Sequence, residues 1–133
     1  MANAIYPKAK EKMLQAGINL STGTVKVALV DTNTYSYSSA HEFYSSVSGV
    51  VGTPQTLASK TFTNGVFDAA DVTFPTVTGS QAEALVFYID TGNSATSPLI
   101  AFQDTGVTGL PVTPNGADIS LTFDNGANKI FAL

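Results

Sequence analysis

The chain has 133 residues and no cysteine, which excludes a disulfide framework and any thiol site. Apolar residues make up 44% and charged residues 12%, against about 25% charged in typical globular proteins, so the chain has enough apolar surface to fold and disorder is excluded. The net charge is −4, arginine is absent and the cations are six lysines, which leaves no basic stripe for neutralising a nucleic-acid backbone.

Residues 3–16 read as one short helix: Asn3 can cap it, Pro7 lies in the first turn where its missing N–H costs little, and Gly17 is a natural stop. Ile5, Ala9, Met13 and Ala16 share one face, flanked by Leu14, so the helix is expected to pack on a sheet. Lys8, Lys10 and Lys12 either form its solvated side or face an acidic partner. Thr24 to Asp31 is the first strand, with Val25, Val27 and Leu29 on one face. Residues 32–56 are rich in Thr, Tyr, Ser and Gly and carry Tyr35, Tyr37, Phe43 and Tyr44; apart from a helical turn around 40–46, they are expected to form a long functional or interface loop.

Asn-Gly pairs punctuate the chain at 64–65, 115–116 and 125–126. Such a pair suits a two-residue type I′ turn, which needs positive φ at both central residues. The first predicts a hairpin with Phe62 opposite Phe67. Asp71 to Phe74 continues outward as a strand. Ala82 to Asp90 is apolar almost without a break, so it is a central strand or lies at a subunit contact. Pro98 to Gln103 is expected to return from it as a hairpin, and 106–116 is a Gly/Pro loop. The last Asn-Gly predicts a hairpin with Leu121 facing Ile130 and Ile119 facing Ala132. That register puts Phe131 and Leu133 on the otherwise polar face, in contact with the helix or with another subunit.

Eight or so short strands and one helix, without a βαβ rhythm, predict an all-β fold: a two-layer, jelly-roll-like β-sandwich with one short N-terminal helix, in a single domain over 1–133. Strands and loops occupy 24–133. No apolar run approaches the ~18 residues of a membrane span, and the N-terminal stretch lacks a signal pattern, so synthesis in a cytoplasm is expected.

Chemistry is sparse. His41 is the single histidine, and nothing resembles a nucleophile elbow around a Ser-His-Asp arrangement. Asp68/Asp71, Asp90 and Asp104/Asp124 are oxygen ligands that calcium accepts, but they do not follow a calcium-loop spacing; strand-end aspartates more often cap turns. The Gly106–Gly109 segment lacks the lysine of a phosphate-binding loop. No catalytic residue, cofactor site or metal site is assigned.

The segments MANAIYPKAKEKMLQAGINL, VKVALVDT, TNGVFDAADVTF, EALVFYIDTG, LPVTPNGADI and DNGANKIFAL resemble, nearly end to end, a family of small virion structural proteins of tailed bacteriophages and prophages. The resemblance implies a particle component and not an enzyme: a capsid decoration or cement protein that binds the mature shell as a dimer or trimer. Its partners would be copies of itself and the major capsid protein, with no nucleic acid, membrane or cofactor. Its location would be the virion, after synthesis in the bacterial host cytoplasm. Interface residues expected on that reading are Ile5, Lys8, Lys12 and Met13 of the helix, Tyr35, Tyr37, Phe43 and Tyr44 of the loop, and Phe131 and Leu133 at the end of the sequence. The alternatives are a tail, baseplate or adaptor subunit bound to tail proteins, and a virion-displayed receptor- or carbohydrate-binding module with Tyr35, Tyr37 and Tyr44 as its platform.

Overall fold

A computed structural model describes residues 3–127 and 129–133. Its strands are β1 (Ala4–Ile5), β2 (Val25–Val30), β3 (Val50–Thr56), β4 (Val66–Phe67), β5 (Val72–Phe74), β6 (Ala84–Ile89), β7 (Leu99–Gln103), β8 (Ile119–Leu121) and β9 (Phe131–Ala132), with one α-helix, α1 (Pro7–Leu14). Five strands form a sheet in the order β1-β7-β6-β2-β3, and β4 pairs with β9 and β5 with β8. Every pairing is antiparallel, so the expected all-β class with one short helix is observed.

Strand β6 is the middle of the five-stranded sheet and all six of its residues are buried. Its unbroken apolar run therefore reflects cover on both faces. On one face Val25, Val27 and Leu29 of β2 and Leu85, Phe87 and Ile89 of β6 join a core completed by Phe67, Val72, Phe74, Ile119, Leu121 and Phe131. The two strand pairs thus share a core with this face. Strands β5 and β8 alternate to match, with Val72, Phe74, Ile119 and Leu121 buried and the Thr73 and Ser120 hydroxyls bonded outside at 3.2 Å. On the other face Ala28, Val30, Ala84, Val86 and Tyr88 carry Tyr6, Ala9 and Tyr35.

Several expectations need correction. Helix α1 is shorter than 3–16, because Ala4 and Ile5 pair with Phe102 and Ala101 as a sheet edge. Asn3 does not cap the helix; its side chain accepts from the backbone N–H groups of Asp104 and Thr105. At the other end the Gly17 N–H donates to the Lys12 carbonyl at 2.7 Å, and the left-handed residue is Ala16, with φ 56°. This is a Schellman ending in which alanine takes the position usually held by glycine. Ala16 is exposed, not on the packing face, and Leu14 is 91% exposed.

Part of the expected loop, Val50–Thr56, is strand β3 on β2. Gly52 and Pro54 hid it, but both are compatible with a bulged edge strand. The register shifts between Val27 and Leu29, and Gly52 (φ 73°) sits in the bulge, where an added Cβ would meet Val77 at 3.2 Å. The Asn64-Gly65 turn has the expected positive φ at both residues (56° and 77°), and Phe62 and Phe67 stack at 5.6 Å.

The last predicted hairpin does not form. Strand β8 pairs with β5 and β9 with β4, so Leu121 faces Val72, Ala132 faces Val66 and Phe131 faces Phe67. Asn128, inside the expected second strand, lies outside the described residues. Phe131 is buried, with its ring 5.1 Å from that of Phe67. It is a core residue, not part of an exposed apolar face.

Two stability predictions follow from these positions. Ala16→Gly removes a left-handed strain of about 1–2 kcal/mol and adds unfolded-chain entropy of about 0.4–1 kcal/mol, so the urea midpoint rises by the equivalent of ~0.5–1 kcal/mol. A lowered midpoint would contradict the Schellman assignment. Phe131→Asp buries an unpaired carboxylate and costs at least ~3 kcal/mol, whereas Leu133→Asp, at a 73% exposed site, stays within ~0.5 kcal/mol in monomer stability.

Candidate functional site

Helix α1 and the loop from Thr32 to Gly49 cover the aromatic face of the sheet together. The loop is closed at its base by the Asp31 N–H bonded to the Gly49 carbonyl at 2.9 Å. Its far side is stapled to the start of β7, where Phe43 bridges Pro98, the Tyr44 N–H donates to the Ser97 carbonyl and the Leu99 N–H donates to the Glu42 carbonyl. Strand β1 and the Phe43 bridge therefore lie along β7, and α1 is the crossover between β1 and β2.

A hydrogen-bonded chain runs through this region. The Tyr6 and Tyr35 hydroxyls are 2.7 Å apart, and the Tyr35 hydroxyl lies 2.9 Å from Nδ1 of His41. With Nδ1 unprotonated, Tyr35 donates to it and Tyr6 donates to Tyr35. Tyr6 is fully buried and Tyr35 nearly so. Burial raises both phenols above their ordinary value. Tyr44 stacks on Tyr88 with centroids 3.9 Å apart, and burial raises these two as well. His41 thus meets a phenol where a catalytic triad needs a carboxylate.

Charges are largely tied down locally. Lys12 pairs with Glu42 of the loop and its ammonium lies 5.1 Å from the Phe43 ring centre. The Lys12 hydrogen bond holds the Glu42 carboxyl below its ordinary range. Lys8 pairs with Glu11 at 3.5 Å, and Lys26 with Asp90 at 3.0 Å. The Gly92 N–H and then Lys26 lower Asp90. Lys60 donates to the Leu20 and Gly23 carbonyls, both at 2.7 Å.

Of the aspartates considered as calcium ligands, Asp90 and Asp124 cap turns by accepting from the Gly92 and Gly126 N–H groups, whereas Asp71 accepts from the distant Phe123 N–H and ties the start of β5 to the end of β8. Among the described residues, no group of three or more His, Asp or Glu side chains is placed to hold a metal ion.

The interface residues expected from sequence divide into two groups. Ile5 and Met13 are half-buried and pack against both cores. Lys8, Lys12, Tyr35, Tyr37, Phe43 and Tyr44 belong to the same helix-and-loop layer, whereas Phe131 and Leu133 belong to β9 and its end. Tyr35 is 2% exposed, so the expected three-tyrosine platform is not present: Tyr35 is inside and Tyr44 is stacked on Tyr88. Sequence reasoning missed the exposure of Leu14 and of Phe62, and it missed two grooves. One, of about 590 Å³, has β1, Tyr37, Gln103 and β9 in its wall. The other, of about 520 Å³, is lined by Thr32, Tyr35, Tyr37, Glu83 and Phe102 among others. Gln103 is buried, and its Oε1 has no hydrogen-bond donor among the described residues, a cost of about 1–3 kcal/mol. These features depend on long-range pairing and leave no local signal.

The tyrosine chain predicts alkaline sensitivity. Above pH ~10 the unfolded chain loses phenolic protons that the folded chain retains, so stability falls as pH rises, by up to ~1.4 kcal/mol per pH unit for each buried group. Tyr6→Phe is expected to cost ~1 kcal/mol at neutral pH and to flatten this alkaline slope. Urea unfolding at a series of pH values measures both; an unchanged slope would mean that Tyr6 ionises in the folded protein.

Comparison with protein-family models and with curated proteins gives no match to this chain.

Proposed function

We propose that this chain is a structural protein of a tailed-bacteriophage virion, a capsid decoration or cement protein that works through oligomeric contacts and transforms no substrate. The two strand pairs that share a core with one face of the five-stranded sheet support reading the fold as a two-layer, jelly-roll-like sandwich. The resemblance of its segments to small virion proteins supplies the particle context.

The observation that carries the reading is where apolar side chains remain in solvent. Leu14 is 91% exposed, Leu133 73% and Phe62 40%, on a chain with only 12% charged residues. Phe62 and Leu133 flank one hairpin tip, because the Gly65 N–H donates to the Phe62 carbonyl and the Gly65 carbonyl accepts from the Leu133 N–H. Apolar groups on a polar, sparsely charged surface suit a subunit contact, where charged residues are depleted at the centre. Copies engaging several shell subunits at once would gain stability by multivalency, with modest energy per contact.

In this reading Lys12 and Glu42 hold the helix to the loop, so that the surface is presented rigidly. Purified protein is expected to form a dimer or trimer and to add to mature shells, raising their disruption temperature. Leu14→Glu and Leu133→Glu should weaken that assembly at least ~tenfold, ~1.4 kcal/mol, while leaving the thermal midpoint of the subunit nearly unchanged. Light scattering and calorimetry measure the two separately. Mass spectrometry of purified virions tests the larger claim: hundreds of copies per particle favour the capsid, a few copies favour a tail subunit, and absence would end the structural reading.

A further inference from the structure

The three Asn-Gly pairs are chemically identical dipeptides, and Asn64, Asn115 and Asn125 are all exposed. Asn-Gly is prone to deamidation, because glycine offers no side chain to hinder attack by its own backbone nitrogen on the asparagine carboxamide. The fold treats the three pairs differently. Gly65 N–H donates to the Phe62 carbonyl at 3.2 Å, and Asn64 is fixed in the left-handed turn at φ 56°, ψ 32°. Gly116 N–H donates to the Val77 carbonyl at 2.8 Å, while the Asn115 Oδ1 accepts from the Ala117 N–H at 3.1 Å. In both pairs the attacking nitrogen is tied to a backbone carbonyl and the asparagine is held.

Among the described residues, Asn125-Gly126 has neither restraint. The Gly126 N–H donates at 3.0 Å to Oδ1 of Asp124, an exposed side chain free to turn away or to receive the proton. We propose that Asn125 is a selective site of spontaneous deamidation in the folded protein. The Gly126 nitrogen gives up its proton and bonds to Cγ of Asn125; the Cγ–Nδ2 bond breaks, and ammonia leaves with that proton. Water then opens the five-membered imide at either carbonyl, giving an aspartyl or isoaspartyl residue. No oxidant or reductant is required. Each conversion adds one negative charge, taking the formal net charge from −4 to −5, next to Asp124 in the wall of the β1/β9 groove that also contains Lys10 and Lys129.

The test uses the intact folded protein, aged at mildly alkaline pH and digested on the N-terminal side of aspartate. This places Asn64, Asn115 and Asn125 on separate peptides, 31–67, 104–117 and 124–133. The aspartyl product is itself a new cleavage point and is scored as the shortened peptide 64–67, 115–117 or 125–133, while the isoaspartyl form stays in the uncut peptide and is separated by chromatography and mass spectrometry. Conversion at Asn125 is expected to be at least about tenfold faster than at either other site, equivalent to ~1.4 kcal/mol in barrier, and the three rates should converge in denaturant. Gly126→Ala should suppress conversion at Asn125; the nearest atom to its added Cβ is an oxygen of the exposed Asp124 carboxylate, at 3.0 Å, so the fold is expected to survive. Equal native rates at the three sites, or faster conversion at Asn64 or Asn115, would overturn the proposal. Persistence of the Asn125 preference in denaturant would place its cause in the local sequence and overturn it equally.

Discussion

Strand β6 buries all six of its side chains, so neither face of the sheet it centres can be left to water. Apolar burial is worth about 25 cal/mol per Å², and the rest of the chain is arranged to realise it on both sides. On one side the cover is β structure: β5, β8, β4 and β9, each only two or three residues long, contribute one or two large side chains apiece. None of these short pairs would be stable alone. Their stability is inherited from the face on which they sit. On the other side the cover is a helix of eight residues and a loop, both equally marginal in isolation.

That second cover is held by polar contacts as much as by apolar ones. Tyr6 enters the core as the residue just before α1, and its hydroxyl would be an unsatisfied buried group without Tyr35. Tyr35 brings the loop down to that hydroxyl, and His41 takes up the remaining link at the surface. The Lys12–Glu42 pair and the Phe43 bridge to Pro98 tie the outer rim to the same frame. A Thr/Ser/Tyr-rich segment that looks unstructured by composition is thereby made part of the packed molecule. Tyr6 and Tyr35 serve as anchors, their hydroxyls bonded to each other inside the fold.

How much of this was legible in the sequence depended on the range of the cause. The alternation in β2, the continuous apolar run of β6 and the positive-φ demand of Asn64-Gly65 are local, and each was read correctly. Asp90 and Asp124 are also local turn caps, whereas Asp71 bonds the distant Phe123 N–H. Misreadings came where a distant partner decided the outcome. Asn125-Gly126 between two alternating runs has every local mark of a hairpin, yet β8 and β9 each find a partner nearly 50 or more residues earlier, in β5 and β4. Choosing the wrong partner assigned Phe131 to an outer face when the β4 pairing places it inside. Ala4 and Ile5 were drawn from helix into strand by the open edge of β7; Ile5 favours a strand, but two residues are too few for that preference to be read without the partner. For the expected interface residues, residue type gave no sign of depth, and only packing separates buried Tyr35 from exposed Leu14.

The charge pattern connects these points to function. Lys8, Lys12 and Lys26 are matched with carboxylates of the same chain, and Lys60 is spent on two backbone carbonyls. Four of the six lysines are thus engaged within the chain, and the field of a paired charge fades within a Debye length of about 8 Å. On the proposed reading, association would rest on short-range fit between neutral hydroxyl, amide and apolar groups. Fit of that kind rewards rigidity, since each ordered loop residue that is already fixed before binding removes a cost from the bound state. The closed base of the 32–49 loop, its staple to β7 and the buried tyrosine link all act in that direction. The longest loop among the described residues is fastened at its base, middle and rim, and that fixed geometry supports the proposed reading of a surface that other subunits would contact.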